Sequence, residues 1–162
     1  MRIINFGFIL LLCSTACHQE KKNQESSTKR DTAVYDARPL EGSISSTGKR
    51  TYQYLKNGDT ISLAVVVDGE KIHGDLSYAW KEKDRNTGHI EGELKGDLLL
   101  ADYTFSSEGQ ESVREVAFKV SKEYALEGYG AMEEKAGKMS FVDVNKLAFD
   151  EKFRLSNVSE GK

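Results

Sequence analysis

HIEGELKGDLLLADYTFSSEGQESVREVAFKV, residues 89–120, decides the fold. Apolar residues and glycines alternate with polar ones through Ile90, Gly92 and Leu94, then through Leu99, Ala101, Tyr103 and Phe105, then through Val116, Phe118 and Val120. A period of two puts each set on one side of a pleated strand. Gly96-Asp97 supplies a tight turn between the first two strands. The acidic run Ser106 to Val113 (SSEGQESV) reads as a long loop before the third.

The same period continues on both sides. Upstream, Thr51 to Lys56 places Tyr52 and Tyr54 on one face, and Asn57-Gly58 is the strongest short hairpin signal, since both turn positions need positive φ. Ile61, Leu63, Val65 and Val67 share a face, and Asp68-Gly69 reads as the next turn. Ile72, Gly74, Leu76, Tyr78 and Trp80 follow on one face, with His73, Asp75 and Ser77 on the other. Lys81 to Gly88 (KEKDRNTG) reads as a longer loop. Downstream, Tyr124 to Ala131 and Lys138 to Val144 read as the seventh and eighth strands, with Glu133 to Gly137 (EEKAG) between them.

The turns predict registers. Asn57-Gly58 pairs Tyr54 with Ile61 and Tyr52 with Leu63. Asp68-Gly69 pairs Val65 with Ile72, and Gly96-Asp97 pairs Leu94 with Leu99 and Ile90 with Tyr103. Every apolar set lands opposite another, and a one-residue slip would undo this everywhere. Ile72-His73-Gly74-Asp75-Leu76 and Ile90-Glu91-Gly92-Glu93-Leu94 share an I-x-G-acid-L pattern, and Leu126-Glu127-Gly128 repeats part of it. Core-facing glycines suit strands coiling round a small barrel. The expectation is an all-β domain over residues 50–158, an antiparallel up-and-down meander of about eight strands closed into a small barrel. A curled open sheet or a sandwich is the alternative. The tail, Asn145 to Lys162, carries Leu147, Phe149, Phe153 and Leu155 and reads as a short helix or strand that plugs or braces the barrel.

Composition bounds the rest. The chain has 162 residues, 30% of them charged and 38% hydrophobic, with 14 glycines and one proline, which fits one globular domain rich in turns. A net charge of -3 gives no basic field for a nucleic-acid partner. Both cysteines, Cys13 and Cys17, lie within the first 17 residues, so the body holds no disulfide framework, thiolate metal site or cysteine nucleophile.

That first segment, MRIINFGFILLLCSTA (residues 1–16), has Arg2, a short apolar run and small residues Ser14, Thr15 and Ala16 before Cys17. It reads as a secretory signal. It resembles the bacterial lipoprotein signal, in which the cysteine after the small residues is acylated and becomes the new N-terminus. Ser14 stands where that family usually has leucine. The resemblance implies a lipid on Cys17, anchoring in the cell envelope and, with His18 rather than aspartate next, sorting to the outer membrane. An ordinary cleaved signal that leaves Cys17 free is the alternative. Residues 17–49, polar and mixed in charge, read as a tether with a root-mean-square span of roughly 30 Å.

Alternate links of a meander lie at opposite ends. The turns at Asp68-Gly69, Gly96-Asp97 and Lys122 make one end tight, and the tether joins the first strand there. The longer links gather at the other end, where binding tends to sit. The inward residues near it are Tyr54, Tyr78, Trp80, Phe105 and, by alternation, Arg114. One reading is an aromatic pocket whose guanidinium holds a carboxylate or phosphate. The other is a structural arginine paired with Asp84, Glu108 or Glu111, or stacked on Trp80, in a filled barrel.

Catalytic and metal chemistry find little footing. Pairing Trp80 with Ile90 separates His73 from His89 by on the order of 26 Å at the usual strand rise, and both face outward. A carboxylate pair from Asp84 and Glu108 rests on two of 26 acidic residues. No cofactor motif is present. YLKNGDTISL, GDLSYAWKEKDRNTG, GDLLLADYTFSSEGQESVREVAF and EGYGAMEE give the body, roughly residues 52–149, a resemblance to a group of small bacterial lipoproteins of unassigned function. In architecture the body is similar to the calycin barrels, lipocalins and avidins. The resemblance supplies no catalytic residues. It leaves three expected roles, in falling order: binding a small molecule or peptide at the loop end, contacting or inhibiting an envelope protein, and hydrolysis.

Overall fold

The computed structural model describes residues 44, 47–81, 85–107 and 109–159. The signal segment 1–16, Cys17, the tether apart from Ile44, Thr47, Gly48 and Lys49, and the loop residues Asp84 and Glu108 lie outside the described residues. The described strands are β1 (Gly48–Lys56), β2 (Asp59–Asp68), β3 (Lys71–Ala79), β4 (Arg85–Lys95), β5 (Leu98–Ser107), β6 (Gln110–Val120), β7 (Tyr124–Tyr129), β8 (Met132–Lys135), β9 (Lys138–Phe141), β10 (Ala148–Phe149) and β11 (Leu155–Asn157). β1 to β7 form an antiparallel meander, and β11 pairs with both β7 and β1 to close the ring. The domain is an all-β barrel of eight strands.

The eighth strand is the tail. Leu155 pairs with Ala125 and is fully buried, and Gln53 pairs with Ser156. The expected eighth strand, Lys138 to Val144, instead supplies β9, which lies outside the circuit in a hairpin with β8 and runs parallel to β6 at Val113 and Arg114. The side chains explain this. Met139 is exposed, and Lys138 reaches Asp102 at 2.8 Å and Glu115 at 3.6 Å on the outer wall. Leu155 carries the apolar side chain that the lumen needs.

Two of the three predicted registers hold as drawn: Tyr52 faces Leu63, and Ile90 faces Tyr103. Asn57 and Gly58 both have positive φ (57° and 90°), as a type I′ turn requires. At the second turn the pairing moves by two residues, to Val67 with Ile72 and Val65 with Gly74. Gly69 opens that turn with φ 63°, the place glycine takes in a type II′ turn, so Asp68 stays in the strand. A shift of two leaves every side chain on its own face.

Two loops are shorter than their polar composition suggests. β5 and β6 run through SSEGQESV with Ser107 opposite Gln110, so the link is the two residues 108–109. β4 begins at Arg85, leaving five residues after Ala79. Rim residues of a barrel strand are wet on both faces, so polarity there does not mark coil. The early start of β4 changes its register: Ile90 faces Gly74, not Trp80, and His89 faces Asp75. His73 and His89 are therefore diagonal neighbours on the outer wall, with His89 Nδ1 at 2.7 Å from Asp75.

Three inward glycines set the coil of the wall. A Cβ on Gly74, Gly88 or Gly92 would lie about 2 Å from the backbone oxygen of Ala64, Thr104 or Leu100. The strands cross so closely there that only glycine fits. The lumen is packed with Leu63, Val65, Leu76, Ile90, Leu99, Phe118 and Leu155, and with Ile44 from the stretch read as tether. A second small core, built on Ala117, Phe141 and Leu147, joins the outer wall to the β8–β9 hairpin and the chain after it.

Candidate binding site at the open end of the barrel

The site begins with a break in the wall. β6 and β7 pair only between Ala117–Val120 and Ala125–Gly128. Nearer the open end, β6 takes β9 as its neighbour, while β7 takes β10 at Gly128 and Tyr129. Gly128 permits this bend, because a Cβ there would lie 2.8 Å from the Phe149 ring. A cavity of about 300 Å³ occupies the break, with Tyr78, Trp80, Asn86, Arg114 and Glu127 on its inner side and Gly130, Met132 and Phe141 toward the outside. That volume is at the small end of ligand pockets.

The inner side is aromatic. Edge and stacked contacts link Tyr54 to Phe153 (5.4 Å between centroids), Phe153 to Trp80 (5.5 Å), Trp80 to Tyr78 (6.4 Å), Tyr78 to Tyr103 (6.1 Å) and Tyr103 to Phe105 (4.8 Å). Phe153 comes from the 3-10 turn Glu151–Phe153 just before β11. The tail therefore both closes the barrel and wedges one ring between Tyr54 and Trp80.

Arg114 points inward from β6. Its guanidinium carbon lies 5.4 Å from the Tyr78 ring, 5.7 Å from Tyr103 and 5.8 Å from Phe105. It forms no ion pair among the described residues, and its buried Nε has no hydrogen-bond partner there. A cation on an aromatic face gains about 0.5–2 kcal/mol. Removing a guanidinium from water costs several. The rings thus offset only part of the cost, and the charge is left available to an anion.

The nearest buried carboxylate is committed elsewhere. Glu127, 7% exposed, accepts from the Tyr78 hydroxyl at 2.6 Å and the Tyr129 hydroxyl at 2.9 Å. Burial pushes its carboxyl above the ordinary 4.5, and the two phenols and the Arg114 charge pull it only part of the way back. Burial and Glu127 raise Tyr78 well above 10. Tyr103 is pushed up to about 12, chiefly by burial, and its buried hydroxyl has no partner among the described residues.

Of the five residues expected at this end, Tyr78, Trp80 and Arg114 line the cavity and Phe105 holds Arg114 from behind. Tyr54 packs on Phe153 and lies outside the lining. Glu127, Tyr103 and Tyr129 were not foreseen. Strict alternation on β7 puts Glu127 on the face of Ala125, inside the barrel and opposite Phe118. The partial I-x-G-acid-L echo suggested the reverse, because Glu91 and Glu93 face outward. Gly128 turns outward here against Phe149 and Ala117 of the wall that the second core covers.

Elsewhere, the outer wall carries exposed ion pairs. Glu93, held by Lys71 at 2.8 Å and Lys95 at 2.9 Å, is pulled down to about 2. Among the described residues no group of three His, Cys, Asp or Glu side chains is placed to hold a metal ion, and no helix is long and apolar enough to cross a membrane. Set against family models, curated proteins and solved structures, the chain finds no match in any of the three.

Proposed function

We propose that this protein is an envelope lipoprotein, anchored in the outer membrane through acylated Cys17, whose barrel binds a small molecule or the end of a peptide at its open end. The observation that carries the binding reading is the cavity of about 300 Å³ beside Trp80 and Arg114. A barrel built only to present its outer surface gains nothing from an inward guanidinium that makes no ion pair among the described residues, since taking it out of water lowers stability. The anchor rests on the signal-like segment 1–16 and the small residues before Cys17.

Native mass spectrometry of the mature protein tests the binding. A retained adduct of small-molecule mass, lost on Arg114→Ala, is the expected result. Its absence across several preparations turns the reading toward a protein-contacting module. For the anchor, Cys17→Ala is expected to move the protein from the membrane to the soluble fraction, and a variant that stays on the membrane contradicts acylation there.

A further inference from the structure

The charges around the cavity constrain what it can take. Glu127 faces Tyr78 from β3, Tyr103 from β5, Arg114 from β6 and Tyr129 from its own strand, and Asp150 acts on Tyr129 from the link after β10. Both carboxylate oxygens are taken by phenols. Glu115, the other carboxylate of the lining, accepts from the Phe141 N–H at 2.8 Å and faces Lys138 at 3.6 Å. Among the described lining residues the cation offered to an incoming group is Arg114, against aromatic walls. With Glu127 ionised, the Arg114 charge offsets it before anything binds. A second anion brought into this low-dielectric space repels Glu127.

We infer that the cavity takes up a small organic acid together with one proton. The ligand's carboxylate sits against Arg114, its apolar body lies against Trp80 and Tyr78, and Glu127 receives the proton from solvent. This inference rests on the reading that the cavity binds a small molecule. Once protonated, Glu127 donates to one phenol oxygen and still accepts from the other. Tyr129 is 44% exposed, so it has room to turn its hydroxyl as that bond reverses. The raised carboxyl of Glu127 agrees with such a role, since burial already favours its neutral form.

Trp80 is the only tryptophan in the chain and lines the cavity, so its fluorescence reports occupancy. Benzoate and its neutral counterpart benzamide serve as probes on the mature protein at about pH 5.5 and about pH 7.5, where a benzoic acid is largely ionised. Benzoate is expected to bind more tightly than benzamide and to weaken at the higher pH, by up to about a hundredfold for one proton over two pH units, with benzamide unchanged. Glu127→Gln, with its melting temperature checked, is expected to remove the pH dependence. Arg114→Met is expected to remove the preference for benzoate. Equal binding of the two probes, or a benzoate affinity that ignores pH in the wild type, overturns the inference and leaves the binding function standing. Failure of both probes to perturb Trp80 at tens of millimolar overturns both.

Discussion

The two ends of the barrel interior are filled by different chemistry. Toward the turns at Gly69-Glu70 and Gly96-Asp97, Val65, Val67, Ile72, Leu94, Leu99 and Val120 pack together, and the Tyr52 hydroxyl donates to the Ser121 carbonyl oxygen at 2.7 Å. Toward the open end, the same strands deliver Tyr78, Trp80, Tyr103, Phe105, Arg114 and Glu127, and a cavity remains among them. Apolar packing gives the tight end its reason to fold, with buried Asp97 and Lys119 facing each other at 4.0 Å beside the Gly96 turn. At the open end, a buried carboxylate and a guanidinium that makes no ion pair among the described residues work against folding. Where groups that reduce stability sit together in a cavity, function is the better explanation for them.

This contrast can be broken at several points. The largest effect is expected where the tail closes the wall. Leu155→Ala removes a fully buried side chain and is expected to cost about 2–5 kcal/mol in urea unfolding. Met139→Ala, in the strand that lies outside the circuit, is expected to stay within about 0.5 kcal/mol. Equal losses would place the closing strand wrongly. Next is the coil of the wall. Gly74→Ala drives a Cβ against the Ala64 carbonyl oxygen and is expected to cost about 1–3 kcal/mol, or more if the strands cannot part. A neutral result would mean that the crossing is looser than described.

Smaller, and different in kind, is the effect of pH at the open end. The folded-state pKa of Glu127 is raised above the ordinary 4.5. Below 4.5 both states hold the proton. As pH rises from there towards the folded value, the unfolded chain releases the proton first and the native state loses stability. Urea midpoints at about pH 4 and about pH 7 are therefore expected to fall for the wild type relative to Glu127→Gln. A wild type that gains on the variant as pH rises would show that the carboxylate is a stabilising partner.

The sequence carried the tight end better than the open end. Alternation and turn residues are local, so the meander, the inward faces and two hairpin registers followed from reading Tyr52, Leu63, Ile90 and Tyr103 in order. The Gly69 turn was placed one position early because Asp-Gly and Gly-Glu compete for the same bend, yet the faces survived the shift of two. What local pattern does not carry is which segment closes the ring. Leu155 and Lys138 both begin short strands, and only the lumen decides between them. Arg114 was legible as an inward charge. Glu127 was not, because outer-wall burial of Leu126 and Gly128 imitates a core face. The same limit misplaced His89, since the start of β4 lies within a polar stretch that alternation cannot resolve.

The smallest expected effect tests the central claim most directly. Arg114→Met keeps a long side chain against Tyr78, Tyr103 and Phe105 and removes the charge. If the open end is built for a ligand, the melting temperature of the ligand-free protein at about pH 4, where Glu127 keeps its proton and loses no charge partner, is expected to stay level or rise by a few degrees. A fall of more than about 5 °C, on the order of 1 kcal/mol for a domain of this size, would make Arg114 a structural residue and contradict the account.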